Sequence, residues 1–327
     1  MLLTYTAVSG QDLHFSDYYH TNMALSPAMT GMMNSHYHLG VAYRTQWGTV
    51  GTPYRTMAVN GEMTFGRKPG RASFGSVGVL LLNDVSGVAS YRQTGAHLSM
   101  AWHQSLSGDG GTYLSAGGQY GMVQQAIDGT KLTFDSQYDG NVIDPNLQSG
   151  ENINNATHVY HDWSAGILYN YSPSDIHRWF IGVSGAHLNR PRQGLLGDER
   201  IRQNIRYSIQ AGGDWMVTDR ITLQPRAYVL YQGKASSYTF GSWIRYDLSD
   251  YREGAAFAFG TLHRLEDAQV IMARMEWRNY GVSVHYDVNV SSLARASRTY
   301  GGFEMAAFYR HPLYDMGKRI PVRCADF

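Results

Sequence analysis

The chain reads as all-β, a transmembrane antiparallel β-barrel of about fourteen strands, and three observations predict it. Apolar and polar residues alternate along segments of roughly ten residues, near the length a tilted strand needs to cross a bilayer and longer than the usual soluble five or six. Aromatic residues cluster at the ends of these segments, where a membrane barrel carries its interfacial girdles. Composition is the third sign: charged residues make up 16% of the 327, against roughly 25% in an ordinary soluble domain. The apolar runs, such as Val79 to Leu82, fall far short of the ~20 residues of a spanning helix, so any crossing is made by strands.

The clearest segment runs from Gln269 to Arg310. Val282, Val284, Tyr286, Val288 and Val290 alternate with Gly281, Ser283, His285, Asp287 and Asn289, which sends the two sets to opposite faces. Ile271, Ala273, Met275 and Trp277 do the same one strand earlier, and only Arg278 and Asn279 separate the two runs, the spacing of a tight hairpin. A looser loop through Ser291 and Arg295 leads into Phe303, Met305, Ala307 and Tyr309. In a barrel the apolar face looks out to lipid and the polar face looks into the lumen. Ser283 should then tolerate a charge far better than Val284.

Taken in order, Gln11 to Met33 has no period and is broken at Ser26-Pro27-Ala28, so it reads as a lead-in folded against or into the barrel. The first strand carries Tyr37, Leu39, Val41 and Tyr43 opposite His38, Gly40 and Arg44, and ends at Trp47. Met57, Val59, Met63 and Phe65 follow opposite Asn60 and Glu62. Further strands are expected near Phe74 to Asn83, Arg92 to Leu106, Gly111 to Gln124, Trp163 to Tyr171, Trp179 to Val183, Ile205 to Trp215, Ile221 to Tyr231, Ser237 to Leu248 and Gly254 to His263. Asn83 to Ser90 reads as a polar loop, and Gln125 to Ala156 as a long one rich in Asn, Asp and Gly. Long loops on one rim and short turns on the other are the asymmetry of an outer-membrane barrel whose chain starts on the periplasmic side. Residues 1–10 read equally as an export-signal remnant or a disordered N-terminus, 11–33 as a periplasmic or lumenal lead-in, 34–310 as the barrel and 311–327 as a periplasmic tail.

Little in the chain points to catalysis or to a cofactor. The single cysteine, Cys324, excludes an intramolecular disulfide and a thiolate metal cluster. His36 with His38, and His97 with His103, lack the spacing of a helical metal site. No nucleophile elbow or phosphate loop is present, so the chain reads as no enzyme. A net charge of +1 gives no reason to expect nucleic acid as a partner.

The inward face holds the candidate residues. Arg44, Glu62, Asp162, Arg206, Asp214, Arg226, Arg245, Arg274, Glu276, Asp287, Glu304 and Arg310 all point into the lumen in these registers. They either line a water-filled pore or pair across it; mixed signs and the forked donors of arginine favour pairing and an occluded interior. Arg44 and Gln46 share one face, with Trp47 at the outer end. Closure of the first strand on the last puts Asp287 and Glu304 in reach of Arg44, with Glu62 a further candidate partner.

Several stretches resemble one family, the PorP/SprF outer-membrane proteins of the type IX secretion system of Bacteroidetes. Gln11-Asp12-Leu13-His14-Phe15-Ser16 is similar to its Q-D-P-x-F-S start, Ser26-Pro27-Ala28-Met29-Thr30-Gly31 to its N-P-A-x-x-G, and Tyr43-Arg44-Thr45-Gln46-Trp47 to its Y-R-x-Q-W. Asn83-Asp84 with Gly87, then His187-Leu188-Asn189-Arg190-Pro191, then Tyr286-Asp287-Val288-Asn289 with Ser292-Leu293 follow in order. Leu13 and Ser26 depart from the family's proline and asparagine, and the end reads Cys324-Ala325-Asp326-Phe327 where many members have C-P-x-F. The resemblance implies a non-enzymatic outer-membrane barrel that supports export or cell-surface attachment of secreted proteins or adhesins, with gliding machinery in the same system. Its implied partners are type IX cargo or a surface adhesin, periplasmic components of the machine and outer-membrane lipid. Asn83, Asp84, Asn189, Arg190 and Pro191 become candidate surface-loop residues for partner binding. The charged inward face keeps a second reading open, a substrate-selective porin.

Overall fold

The computed structural model describes residues 12–312 apart from 34, 50, 67–72, 108–110, 145–146, 148–155, 175, 196–200, 249–253 and 293. The expectations placed on residues 1–10, Gln11, Cys324 and most of the 311–327 tail lie outside the described residues. Fourteen strands close in sequence order, each antiparallel to its neighbours, with the first pairing the last. They are β1 (Ser35–Gln46), β2 (Tyr54–Phe65), β3 (Ser73–Ser86), β4 (Tyr91–Ser105), β5 (Thr112–Ile127), β6 (Ala156–Tyr171) and β7 (His177–Ala186). The second half has β8 (Arg206–Met216), β9 (Ile221–Gln232), β10 (Ala235–Asp247), β11 (Ala255–Arg264), β12 (Ala268–Trp277), β13 (Tyr280–Asn289) and β14 (Tyr300–Pro312).

The alternation places side chains as the period of two requires. In β13, Val282 and Val284 are exposed on the outside while Ser283, His285 and Asp287 are buried inside. Each expected inward charge is buried or half-buried in the described structure. The turn at Arg278 and Asn279 is as tight as the sequence suggests, and Arg278 takes a φ of +52° there, as a two-residue hairpin loop demands. One departure is at the start of β1, where an irregularity between Ser35 and Tyr37 takes His36 out of the ladder.

Wall height varies around the barrel. β5 and β6 are 16 residues each, whereas β7 and β8 have 10 and 11. Gln125 and Ala126, expected in a loop, instead pair with His158 and Thr157, because the ladder continues past the apolar band into polar sequence. The longer connections, including β5 to β6 and β7 to β8, share one end, which is the outer one.

The interior is full. Residues 12–33 run inside the barrel from its outer end, where Asp12 meets Gln232 at the end of β9, to the start of β1. On the way they form a 3₁₀ turn at Tyr18–His20, a single helical turn α1 (Asn22–Leu25) and another 3₁₀ turn at Pro27–Met29. Met29, Met32 and Met33 are buried among wall residues such as Leu168, Trp243 and Leu262, and Met23 is buried in a second cluster with Ala42, Ala58 and Leu80. Flexible thioethers suit a segment with no regular face to present.

Candidate functional site

At the outer half of the lumen, Arg44 is fully buried and sits directly opposite Glu304 across the β1–β14 seam. Its Nη2 donates to Asp287 Oδ2 at 2.8 Å and its Nη1 lies 3.4 Å from Glu304 Oε2. Arg264 adds a second cation 3.5 Å from Asp287. The plug completes this cluster: the Ser16 amide donates to Glu304 at 2.6 Å, and the Ser16 hydroxyl donates to Asp287 at 2.6 Å. Two cations thus face two carboxylates, and the spare acceptor sites hold the N-terminal segment. A buried ion pair stabilises only when its remaining hydrogen-bonding capacity is used, and on the carboxylate side Ser16 uses it together with His285, whose Nδ1 lies 3.0 Å from Glu304 Oε1.

Glu62 is not a partner of Arg44. It sits on the inward face of β2 near the inner end, where its carboxylate accepts from the Gly31 amide at 2.6 Å and lies 3.3 Å from His38 Nδ1. Register separates the two residues, because Arg44 stands opposite Thr56 while Glu62 stands opposite His38. Gly31 has a φ of +70°, and a Cβ there would strike Ser76, so this point of the plug admits only glycine.

A third anchor lies at the outer rim. His187, just beyond β7, contacts Asp12 Oδ2 through Nε2 at 2.5 Å and has Nδ1 3.0 Å from Asp162. Gln203 and Gln232 each donate to Asp12 Oδ1 at 2.9 Å, and Arg206 Nη1 lies 3.2 Å from Oδ2. Burial alone would lower the basicity of His187, but the flanking Asp12 and Asp162 carboxylates hold its pKa up at about 9. Burial would raise Asp12, yet His187 and Arg206 outweigh that and keep it well below the usual carboxylate range.

Between these anchors the wall bonds the plug backbone. Ser184 and Ser208 donate to the Leu25 carbonyl at 2.7 and 3.1 Å, Arg206 to the Ala24 carbonyl at 2.6 Å, and Ser76 to the Thr30 carbonyl at 2.6 Å. The Trp243 indole donates to Asp17 at 3.1 Å and Ser283 meets His20 Nε2 at 2.9 Å. Wall glycines make room: a side chain at Gly117 would run into the Pro27 carbonyl, and one at Gly166 would press on Ser26. A cavity of about 60 Å³ remains between plug and wall, lined by His97, Gln119, Tyr160 and Asp162 among others.

The other expected site residues are spread out. Gln46 is half-buried at the outer end of β1 opposite Gly302, and Trp47 ends that strand with a φ of +59° while its amide donates to the Gly301 carbonyl at 3.2 Å. Asn83 and Asp84, expected in a surface loop, belong to β3, which runs on to Ser86. Asp84 faces inward, is buried, and accepts from Thr56 at 2.6 Å; Asn83 bonds Thr94 on the neighbouring strand at 2.7 Å. Asn189, Arg190 and Pro191 do lie in the β7–β8 connection. There the Asn189 side-chain amide caps the β6 backbone, accepting from the Trp163 amide at 3.3 Å and donating to the His161 carbonyl at 2.6 Å. Arg190 is exposed and Pro191 buried.

Residues the sequence reading left without a role are Asp12, Ser16, Asp17, His20 and His187. A signal for them existed, since each is polar and lies beside apolar residues in stretches without a period. The motif stretches converge here: Asp12 and Ser16 from the lead-in, Arg44 before Trp47, His187 before Asn189, and Asp287 before Asn289 meet in two adjoining clusters.

Fold and interior together define an outer-membrane β-barrel stoppered by its own N-terminal segment. A family model described as "Type IX secretion system membrane protein PorP/SprF" matches residues 7–309, and the chain belongs to that family. Among solved structures it resembles the Ralstonia pickettii toluene transporter TbuX, at 9% identity over 89% of this chain and 94% of that one with a TM-score of 0.55. The P. putida toluene transporter TodX aligns at 8% identity over 89% and 93%, TM-score 0.52. The monoaromatic hydrocarbon channel CymD aligns at 11% over 90% and 93%, TM-score 0.50. At such identities the likeness is one of fold. No curated protein matches the chain in sequence.

Proposed function

We propose that this barrel is a non-enzymatic scaffold of the type IX machinery that supports export or surface attachment of secreted proteins or adhesins through its outer rim. The observation that carries the reading is the occupied lumen. Ser16 closes the Arg44–Asp287–Glu304 cluster from within, so this buried charged cluster holds a stopper in place instead of lining a path. The surfaces left to act are the outer connections, the longest of which joins β5 to β6, and the periplasmic turns that face other components of the machine.

Excising residues 129–154 tests this reading, because the cut lies beyond the last ladder pair, Ile127 with Ala156. The barrel should keep its heat-modifiable mobility while type IX cargo is released from the cell surface. A folded deletion protein with undiminished cargo display would contradict it. A substrate-selective channel is the second reading, supported by the names of the fold neighbours, TbuX and TodX being described as toluene transporters. It requires the plug to move.

A further inference from the structure

We propose that a furrow on the lipid face of β14 and β1 to β4 is a phospholipid site, with one acyl chain lying over Gly61 and the phosphate bound at His36 and His311. The site stands independently of the scaffold reading above.

The ladder registers create the furrow. One row of outward positions crosses five neighbouring strands as Tyr309, Leu39, Gly61, Val79 and Leu98, and Gly61 alone in it has no side chain. The next row toward the periplasm is His311, Tyr37, Met63 and Val77. Among these side chains lies a space of about 500 Å³, within the roughly 300–1,000 Å³ of small-molecule sites. A Cβ on Gly61 would meet only the tip of Leu39 at 3.2 Å and the His38 carbonyl at 4.0 Å, so the gap opens outward and not into the lumen. Barrel strands are tilted, and the row therefore climbs through the bilayer. It leaves the inner interface at Tyr280 and Tyr309, whose ring centroids are 5.0 Å apart. Beyond Leu98 it continues to Tyr120 and Trp163, 4.9 Å apart, an aromatic pair suited to the outer interface.

The occupant follows from where the furrow lies. Its surroundings are the acyl chains that cover the outward face of an outer-membrane barrel, and its lower end is at the periplasmic leaflet. Lipid tails are as apolar as leucine, so burial alone favours no one place on this face. Packing in a concavity and hydrogen bonds to a head group do, and both are present. An irregularity between Ser35 and Tyr37 takes His36 out of the ladder, the kind of bulge that re-aims a side chain. Its ring packs on Tyr37 at 4.5 Å, and Tyr37 lies 5.7 Å from His311, so two imidazoles flank the lower end of the furrow. The Tyr309 hydroxyl is 3.3 Å from His311 Nδ1. With the hydroxyl donating, the ring proton sits on Nε2, available to a phosphate oxygen.

The probe is phosphatidylethanolamine, added to the purified full-length barrel in detergent and followed by native mass spectrometry. A single lipid should bind ahead of the rest. Gly61→Phe fills the furrow from outside and should weaken that first event by about tenfold or more. His311→Ala should weaken it by about tenfold, the worth of one hydrogen bond to a charged group. Gly118→Phe is the control: Gly118 is exposed on the outward face, a Cβ there would meet only the Ser164 carbonyl at 4.0 Å, and the variant should bind as the parent does. Diacylglycerol, which has chains and no phosphate, and glycerophosphoethanolamine, which has phosphate and no chains, should each bind more weakly than the whole lipid. One arm needs no variant to fold. A photoactivatable acyl chain on the same lipid should label Leu39, Val79 and Leu98 of the parent ahead of Ile181 and Ile209, exposed on β7 and β8. Uniform labelling around the barrel, equal first binding by folded Gly61→Phe and the parent, or glycerophosphoethanolamine binding as tightly as the whole lipid overturns the site, as does a barrel dimer that keeps lipid off the furrow.

Discussion

Replacing Arg44 with alanine removes the cation that joins three elements, and the structure sets the size of the effect. Asp287 loses its 2.8 Å partner but keeps the Ser16 hydroxyl and Arg264 at 3.5 Å. Glu304 keeps the Ser16 amide and His285 at 3.0 Å. Removing one member of a buried ion pair costs about 3–5 kcal/mol, and these retained partners place the loss near the lower end, about 3 kcal/mol. Arg295 is exposed in the helical turn Ala294–Ser297, so Arg295→Ala should stay within about 0.5 kcal/mol. Arg44→Lys should fall between, because an ammonium is a point charge and cannot fork to two carboxylates. The assay is the folded fraction by heat-modifiable gel mobility across a urea series. Superimposable curves for Arg44→Ala and Arg295→Ala would refute the view that Arg44 is a buried anchor.

Three further outcomes follow from the same geometry. Gly117→Leu drives a side chain into the Pro27 carbonyl and should destabilise by about 1–3 kcal/mol while raising protease access to residues 12–33; unchanged proteolysis would contradict the contact. The rim anchor titrates with a defined sign: the contribution of His187 is complete below its ordinary 6.5 and is lost as pH rises through about 9. That of Asp12 is complete above its ordinary 3.8 and is lost only in stronger acid. The share of thermal stability that His187 supplies, read as the difference between the parent and His187→Gln, should therefore be level below about pH 6.5 and fall toward pH 9. On the lipid face, Val284→Arg should cost roughly 2–4 kcal/mol near the midplane. Ser283→Arg should be at least as harmful, because the 2% exposed Ser283 is packed against His20; a mild Ser283→Arg would mean that the plug is absent there.

That last pair shows where sequence reasoning stopped. Alternation in Tyr280–Asn289 sorts inside from outside because a strand's side chains have a period of two, and the same rule placed Arg44, Asp287 and Glu304 in one lumen. It did not reveal that Ser283 is covered, because the covering segment has no period. Ser16 meets Glu304 across 288 residues of sequence, and no local pattern encodes such a contact. Asp84 was misplaced for a related reason: polar residues continue the β3 ladder beyond the apolar band, so a polar run there marks a lumen wall as readily as a loop. Glu62 shared its inward face with Arg44, but only the β1–β2 register shows that they sit at different heights.

Whether the interior is closed is the claim on which the account turns, and planar-bilayer recording of the purified full-length barrel tests it most directly. A matched protein lacking residues 12–31 serves as the insertion control. The account predicts a silent bilayer for the full chain and steady conductance for the deletion protein. Steady conductance from the full chain, equal to that of the deletion protein, would contradict it.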